Sequence, residues 1–74
     1  MPLVARVVPD VTGVDKVFDY LIPRELEASI HLGDRVRVQL HGRNVPDWVA
    51  HIGETDSGFS DVEFSKLRPV IKRL

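Results

Sequence analysis

Short runs of alternating apolar and polar residues, each closed by turn-forming residues, organise this chain. Alternation with a period of two marks strands that bury one face, and runs this short predict a small all-β domain. Leu3 to Val8 is apolar except for Arg6, closes at Pro9-Asp10, and leads into a loop containing Thr12-Gly13. Lys16 to Ile22 predicts a second strand ended by Pro23, with Phe18, Tyr20 and Ile22 on one face and Val17, Asp19 and Leu21 on the other. Arg24 to Leu32 predicts a single helical turn, with Leu26 and Ile30 at i and i+4. Gly33-Asp34 then turns into Arg35 to Leu40, where Val36, Val38 and Leu40 face inward and Arg35, Arg37 and Gln39 face outward. His41-Gly42-Arg43-Asn44 supplies hairpin chemistry. Val45 to Ile52 is the returning strand, with Trp48, Ala50 and Ile52 on a common face, Trp48 in the core, and Pro46 marking an edge or irregular start. Gly53 to Ser60 predicts a loop, Ser60-Asp61-Val62-Glu63 has capping-box spacing for one short helical turn, and Leu67 to Leu74 is the last strand. About five short strands in so small a chain predict a closed or nearly closed barrel, because closure removes unpaired edges.

Composition narrows the class without choosing a function. With 74 residues, 43% hydrophobic and 28% charged, the chain is one globular domain, residues 1–74, with one modest core. It has no cysteine, which excludes disulfides and thiolate metal sites. No apolar run is long enough to span a membrane, and the first residues carry no signal-peptide pattern, so a cytoplasmic location without membrane contact is expected. Pro69 to Leu74 ends in mid-pattern, and the domain is expected to be part of a longer chain. The net charge of −1 is low for a domain that lives on phosphate contacts alone.

Catalytic patterns are missing from the sequence. There is no phosphate-binding G-x-x-x-x-G-K-[ST] loop. His31, His41 and His51 fall on separate predicted elements, outside zinc spacings. The serines lack a nucleophile elbow, and Glu25/Glu27 reads as a solvated face. A non-catalytic domain with no cofactor and no metal is expected. Barrels of this size bind nucleic acids, peptides or oligosaccharides, and the fold does not decide among them.

Three stretches carry a resemblance: Val4-Ala5-Arg6-Val7, Val17-Phe18-Asp19-Tyr20-Leu21-Ile22-Pro23, and Leu32-Gly33-Asp34-Arg35-Val36-Arg37-Val38 followed by Gly42-Arg43 and Trp48-Val49. In order and spacing this set resembles the N-terminal 3′ DNA-binding domain of the PriA family of replication-restart helicases (primosomal protein N′). There the pattern runs V-A-x-V, F-D-Y-x-x-P, G-x-R-V-x-V, then G-[RK]-x-x-x-G-[FWY]-V. Ser65-Lys66-Leu67-Arg68-Pro69-Val70 resembles the family's lysine-containing approach to the last strand. Two departures stand out: Asp47 occupies the position where the family usually has glycine, and the turn at His41-Gly42-Arg43 is one residue longer than in some members.

The resemblance implies an OB-like barrel that pockets the 3′-terminal nucleotide of a nascent leading strand at a stalled fork. It implies a primosome setting, with single-strand-binding protein and other primosome proteins as further partners. Carried over, the DNA 3′-end-binding residues are Phe18, Asp19, Tyr20, Gly42 and Lys66, with Arg35, Arg37 and Arg43 as further phosphate contacts. Helicase activity would belong to ATPase domains beyond this chain.

Those residue types suit the task. A carboxylate repels phosphate but accepts a hydrogen bond from a terminal hydroxyl, worth roughly 1.5–3 kcal/mol, so Asp19 would favour ends over interiors. Aromatic rings stack on any base. A glycine lets the backbone approach the base, and Lys66 would meet the preceding phosphate. Each residue also has a plainer reading. Phe18 or Tyr20 fills the core, Asp19 pairs with Arg35 or Arg37, Gly42 only turns the hairpin, and Lys66, Arg35 and Arg37 are solvated. The alternative function is a protein-interaction barrel that docks on replication partners or on its own helicase core, a reading the near-neutral charge favours.

Overall fold

The computed structural model describes residues 3–10, 16–54 and 67–74. Five strands and one short 3₁₀ turn follow in chain order: β1 (Leu3–Pro9), β2 (Phe18–Ile22), the 3₁₀ turn Arg24–Leu26, β3 (Arg35–Leu40), β4 (Arg43–Glu54) and β5 (Lys72–Arg73). They form one sheet in the order β2-β1-β4-β3-β5. The all-β expectation and the single helical turn are both met.

Closure comes from the last segment of the chain. The Leu21 N–H donates to the Arg68 carbonyl and the Val70 N–H to the Leu21 carbonyl, each at 2.8 Å, so this stretch pairs with β2. A few residues on, the N–H groups of Ile71 and Leu74 donate to the Arg37 and Arg35 carbonyls of β3, again at 2.8 Å. One segment thereby satisfies the outer edges of both β2 and β3, and the sheet closes on itself as a small barrel. Asp34 fastens the same closure. Its carboxylate accepts from the His31 backbone N–H at 2.8 Å and from Arg73 Nε at 3.1 Å, and these bonds hold it below the ordinary carboxylate range.

Strand phase sets the core. Ala5 and Val7 of β1, Tyr20 and Ile22 of β2, Val36 and Val38 of β3, and Val49 of β4 all point inward, joined by Ile30 and Val70. The strict alternation of β3 emerges as expected, with Val36, Val38 and Leu40 buried. Between β3 and β4 the turn consists of His41 and Gly42, both with positive φ (51° and 79°). Two central residues with positive φ are what a type I′ hairpin requires, because its twist matches the flanking strands.

β4 departs from its expected phase. Arg6 pairs with His51 but Val7 pairs with Val49, so Ala50 is an extra, bulged residue. The bulge reverses which residues face inward. Val45, Asp47 and Val49 form the inner set before it, and Ile52 returns to the core after it. Trp48 and Ala50 are therefore exposed and do not share the face of Ile52, which corrects the expectation of a core tryptophan. Trp48 is 45% exposed, and Asp47 beside it is fully buried. The capping-box segment from Ser60 to Glu63 lies outside the described residues.

Candidate nucleic-acid interface

The hairpin end of the barrel carries a cleft of about 370 Å³ lined by Tyr20, Gln39, Leu40, His41, Gly42 and Arg68. This is within the size range of small-molecule pockets, roughly 300–1,000 Å³. Three pieces of chain build it: β2 supplies Tyr20, the end of β3 and its turn supply Gln39 to Gly42, and the closing segment supplies Arg68.

Hydrogen bonds fix these walls to one another. The Tyr20 hydroxyl donates to the Gln39 carbonyl at 2.7 Å, and Arg68 Nη1 donates to Gln39 Oε1 at 2.9 Å. Gln39 thus joins the aromatic wall to the cationic one. Tyr20 is buried, with 5% of its surface exposed. Burial raises its hydroxyl above the ordinary range, and the Asp47 charge adds to this while Arg68 opposes it, so the neutral hydroxyl stays a hydrogen-bond donor. Phe18 packs its ring edge-on against His41, with centroids 6.5 Å apart and an 87° angle between planes. An L side chain built on Gly42 would meet nothing within 4 Å, so glycine is favoured there by φ and not by crowding.

Of the residues singled out by sequence, Tyr20 and Gly42 line the cleft, and Phe18 abuts it through His41. Asp19 lies on the opposite face of β2 from Tyr20. There Arg6 Nε donates to its Oδ1 at 3.0 Å and Arg6 Nη2 to its Oδ2 at 3.4 Å. Its partner is therefore Arg6 on β1, the strand directly beside it, and not Arg35 or Arg37 as the sequence alternative had it. The peptide groups of Asp19 share their direction with those of Leu21, toward the β2 edge that Arg68 and Val70 occupy. Arg43 begins β4 directly after the turn and is exposed. Arg37 faces outward on β3, half-buried. Arg35 lies further along β3, 2.7 Å from Asp10 and stacked over Trp48 at 5.5 Å. Lys66 lies outside the described residues.

Sequence reasoning missed Gln39, His41 and Arg68 as cleft residues. His41 adjoins the motif glycine and Gln39 lies three residues before it, and that proximity was the one available signal. Arg68 reaches the cleft only because the closing segment pairs with β2, which is a tertiary fact. Among the described residues, no group of three side chains is placed to hold a metal ion.

A closed β-barrel bearing a cleft with aromatic walls and a guanidinium is the build of a small nucleic-acid-binding module, in which rings meet bases and cations meet phosphates. The chain belongs to the PriA 3′ DNA-binding domain family, whose model, described as 3′DNA-binding domain (3′BD), matches residues 6–74. Among curated proteins and among solved structures, no significant match is found. The domain is thus a DNA-binding module of a family that acts on DNA 3′ ends.

Proposed function

We propose that this domain captures the 3′-terminal nucleotide of a nascent leading strand at stalled replication forks, as the N-terminal module of a replication-restart helicase. The observation that carries the reading is the meeting of two motif residues far apart in sequence, Tyr20 and Gly42, in one cleft. The terminal base enters between the Tyr20 and His41 sides, and Arg68 neutralises the phosphate that precedes it. The family resemblance carries Lys66 over as a further phosphate-binding cation.

Asp19 supplies end selection. Arg6 orients its carboxylate, with Nε on Oδ1 at 3.0 Å and Nη2 on Oδ2 at 3.4 Å. A strand end lying over the β2 edge offers it a hydroxyl, whereas a continuing strand would offer a phosphate and be repelled. The module works in the cytoplasm without a cofactor of its own. Other primosome proteins and single-strand-binding protein are its neighbours, and strand separation belongs to ATPase domains elsewhere in the parent protein.

The test is a binding measurement with two oligonucleotides of identical sequence, one ending in a 3′-hydroxyl and one in a 3′-phosphate. The wild-type chain prefers the hydroxyl form roughly tenfold or more, the scale of one charge-assisted hydrogen bond. Asp19→Asn narrows that preference. An unchanged preference in the variant removes Asp19 from the role, and equal binding of both ends by the wild type removes the function.

A further inference from the structure

The exposed face of β3 connects the cleft to Trp48. Residues directly opposed across a sheet share a face, and so do alternate residues along one strand. Arg35, Arg37 and Gln39 therefore form one outward row, with Trp48 opposite Arg35 and Lys72 opposite Arg37. Arg68, bonded to Gln39 Oε1 at 2.9 Å, continues the row into the cleft. Four of the chain's ten Lys and Arg residues, Arg35, Arg37, Arg68 and Lys72, thus lie along one strand of a domain whose net charge is −1. At the far end Arg35 stacks over the Trp48 ring at 5.5 Å while Asp10 holds its guanidinium at 2.7 Å. Trp48 is nonetheless 45% exposed, and its β1 partner Val8 is 37% exposed. A large aromatic left open to solvent and flanked by cations is how proteins meet unpaired bases.

We propose that the outer face of β3 is a track for the DNA strand running 5′ from the end held in the cleft, with Trp48 as a second stacking platform. This rests on the 3′-end reading and extends it. Same-face steps along β3 are roughly 7 Å each, so Gln39 and Arg35 stand roughly 14 Å apart. Two such steps are of the order of two internucleotide links in an extended single strand. The terminal nucleotide sits in the cleft, the next phosphates pass Arg68 and then Arg37 with Lys72, and the third base reaches Trp48. Asp10 closes the track, since its carboxylate repels a phosphate beyond that point.

Trp48 is the chain's single tryptophan, so its emission reports on this position alone. The experiment titrates the 74-residue chain with a dinucleotide and a pentanucleotide, each in a 3′-hydroxyl and a 3′-phosphate form. In the 3′-hydroxyl form the pentanucleotide quenches Trp48 and the dinucleotide does not. Trp48→Ala weakens the pentanucleotide roughly tenfold, as expected for one lost stacked base, and leaves the dinucleotide unchanged. A pentanucleotide that binds with 3′-hydroxyl preference yet neither alters the emission nor notices Trp48→Ala overturns the track and spares the end-binding reading. Quenching that is equal for 3′-hydroxyl and 3′-phosphate forms sinks the end-binding reading and with it the track as an extension of a held end, leaving Trp48 a contact of ordinary strand binding. Failure of every oligonucleotide, with quenching only by a protein partner, overturns both.

Discussion

Asp47 and Trp48 are neighbours on β4, and each lies where the chemistry of its side chain would place the other. Asp47 is fully buried between Pro9 of β1 and Val36 of β3, and among the described residues no group donates to either of its oxygens. Trp48 stands on the outer face against Arg35. A strand has only two faces, so the residues on either side decide both placements. Val45 and Val49 must face inward to complete the core, and that carries Asp47 in and Trp48 out. The bulge at Ala50 lets Ile52 regain the core without reversing this. The pair shows that phase is set by the sum of a strand's contacts, and that a residue forced against its preference becomes either a stability cost or an exposed binding group.

The cost falls on Asp47 and has a definite pH dependence. Burial, reinforced by the Asp10 charge, raises its carboxyl from the ordinary 3.8 to about 6. Well below pH 3.8 the carboxyl is protonated in both the folded and the unfolded chain, and its ionisation costs nothing. As pH rises from 4 toward 6 the unfolded chain releases the proton while the folded chain keeps it, so stability falls. Above pH 6 the penalty is complete, on the order of 3 kcal/mol. Asp47→Val, which continues the inward valines, is expected to stabilise the domain by on the order of 3 kcal/mol at pH 8 and by much less at pH 4. Chemical denaturation at the two pH values measures this, and an equal gain at both would show that the charge is not the cause.

Smaller effects sharpen the contrast. Tyr20→Phe keeps the ring in the core but leaves the Gln39 carbonyl without its hydroxyl donor, at a cost of about 1.5 kcal/mol. A neutral result in thermal unfolding would mean that this bond does not brace the cleft wall. Gly42→Ala meets no steric obstacle and is opposed only by its φ of 79°, so it costs about 1 kcal/mol. A loss of several kcal/mol would point to a clash that the geometry does not contain. Trp48→Ala changes stability least, by less than about 1 kcal/mol, whereas truncating a core tryptophan costs roughly 3–5 kcal/mol. A loss on the larger scale would return Trp48 to the core and erase the contrast with Asp47.

Much of this was legible from residues alone. β3 declared itself because Val36, Val38 and Leu40 alternate without exception with Arg35, Arg37 and Gln39. The hairpin was legible because His41-Gly42 offers a glycine where positive φ is needed. The phase of β4 was not legible. Trp48, Ala50 and Ile52 satisfy alternation on paper, and a bulge leaves no mark in a single strand's sequence because it exists only relative to β1. The partner of Asp19 was hidden for a similar reason: which strand flanks β2 is a property of the sheet order, and that order places Arg6 there. Tyr20 and Gly42 were named by motif, but the cleft between them depends on Gln39 and Arg68, whose bond joins residues 29 apart in the chain.

The central claim, that the hairpin cleft holds a 3′-terminal nucleotide, is tested most directly by an NMR titration. The chain is titrated with two short oligonucleotides that differ only in carrying a 3′-hydroxyl or a 3′-phosphate. The account predicts that the amide signals of Tyr20, His41 and Gly42 shift with the hydroxyl form and respond weakly, if at all, to the phosphate form. Equal shifts with both forms, or shifts confined to residues away from the cleft, would contradict it.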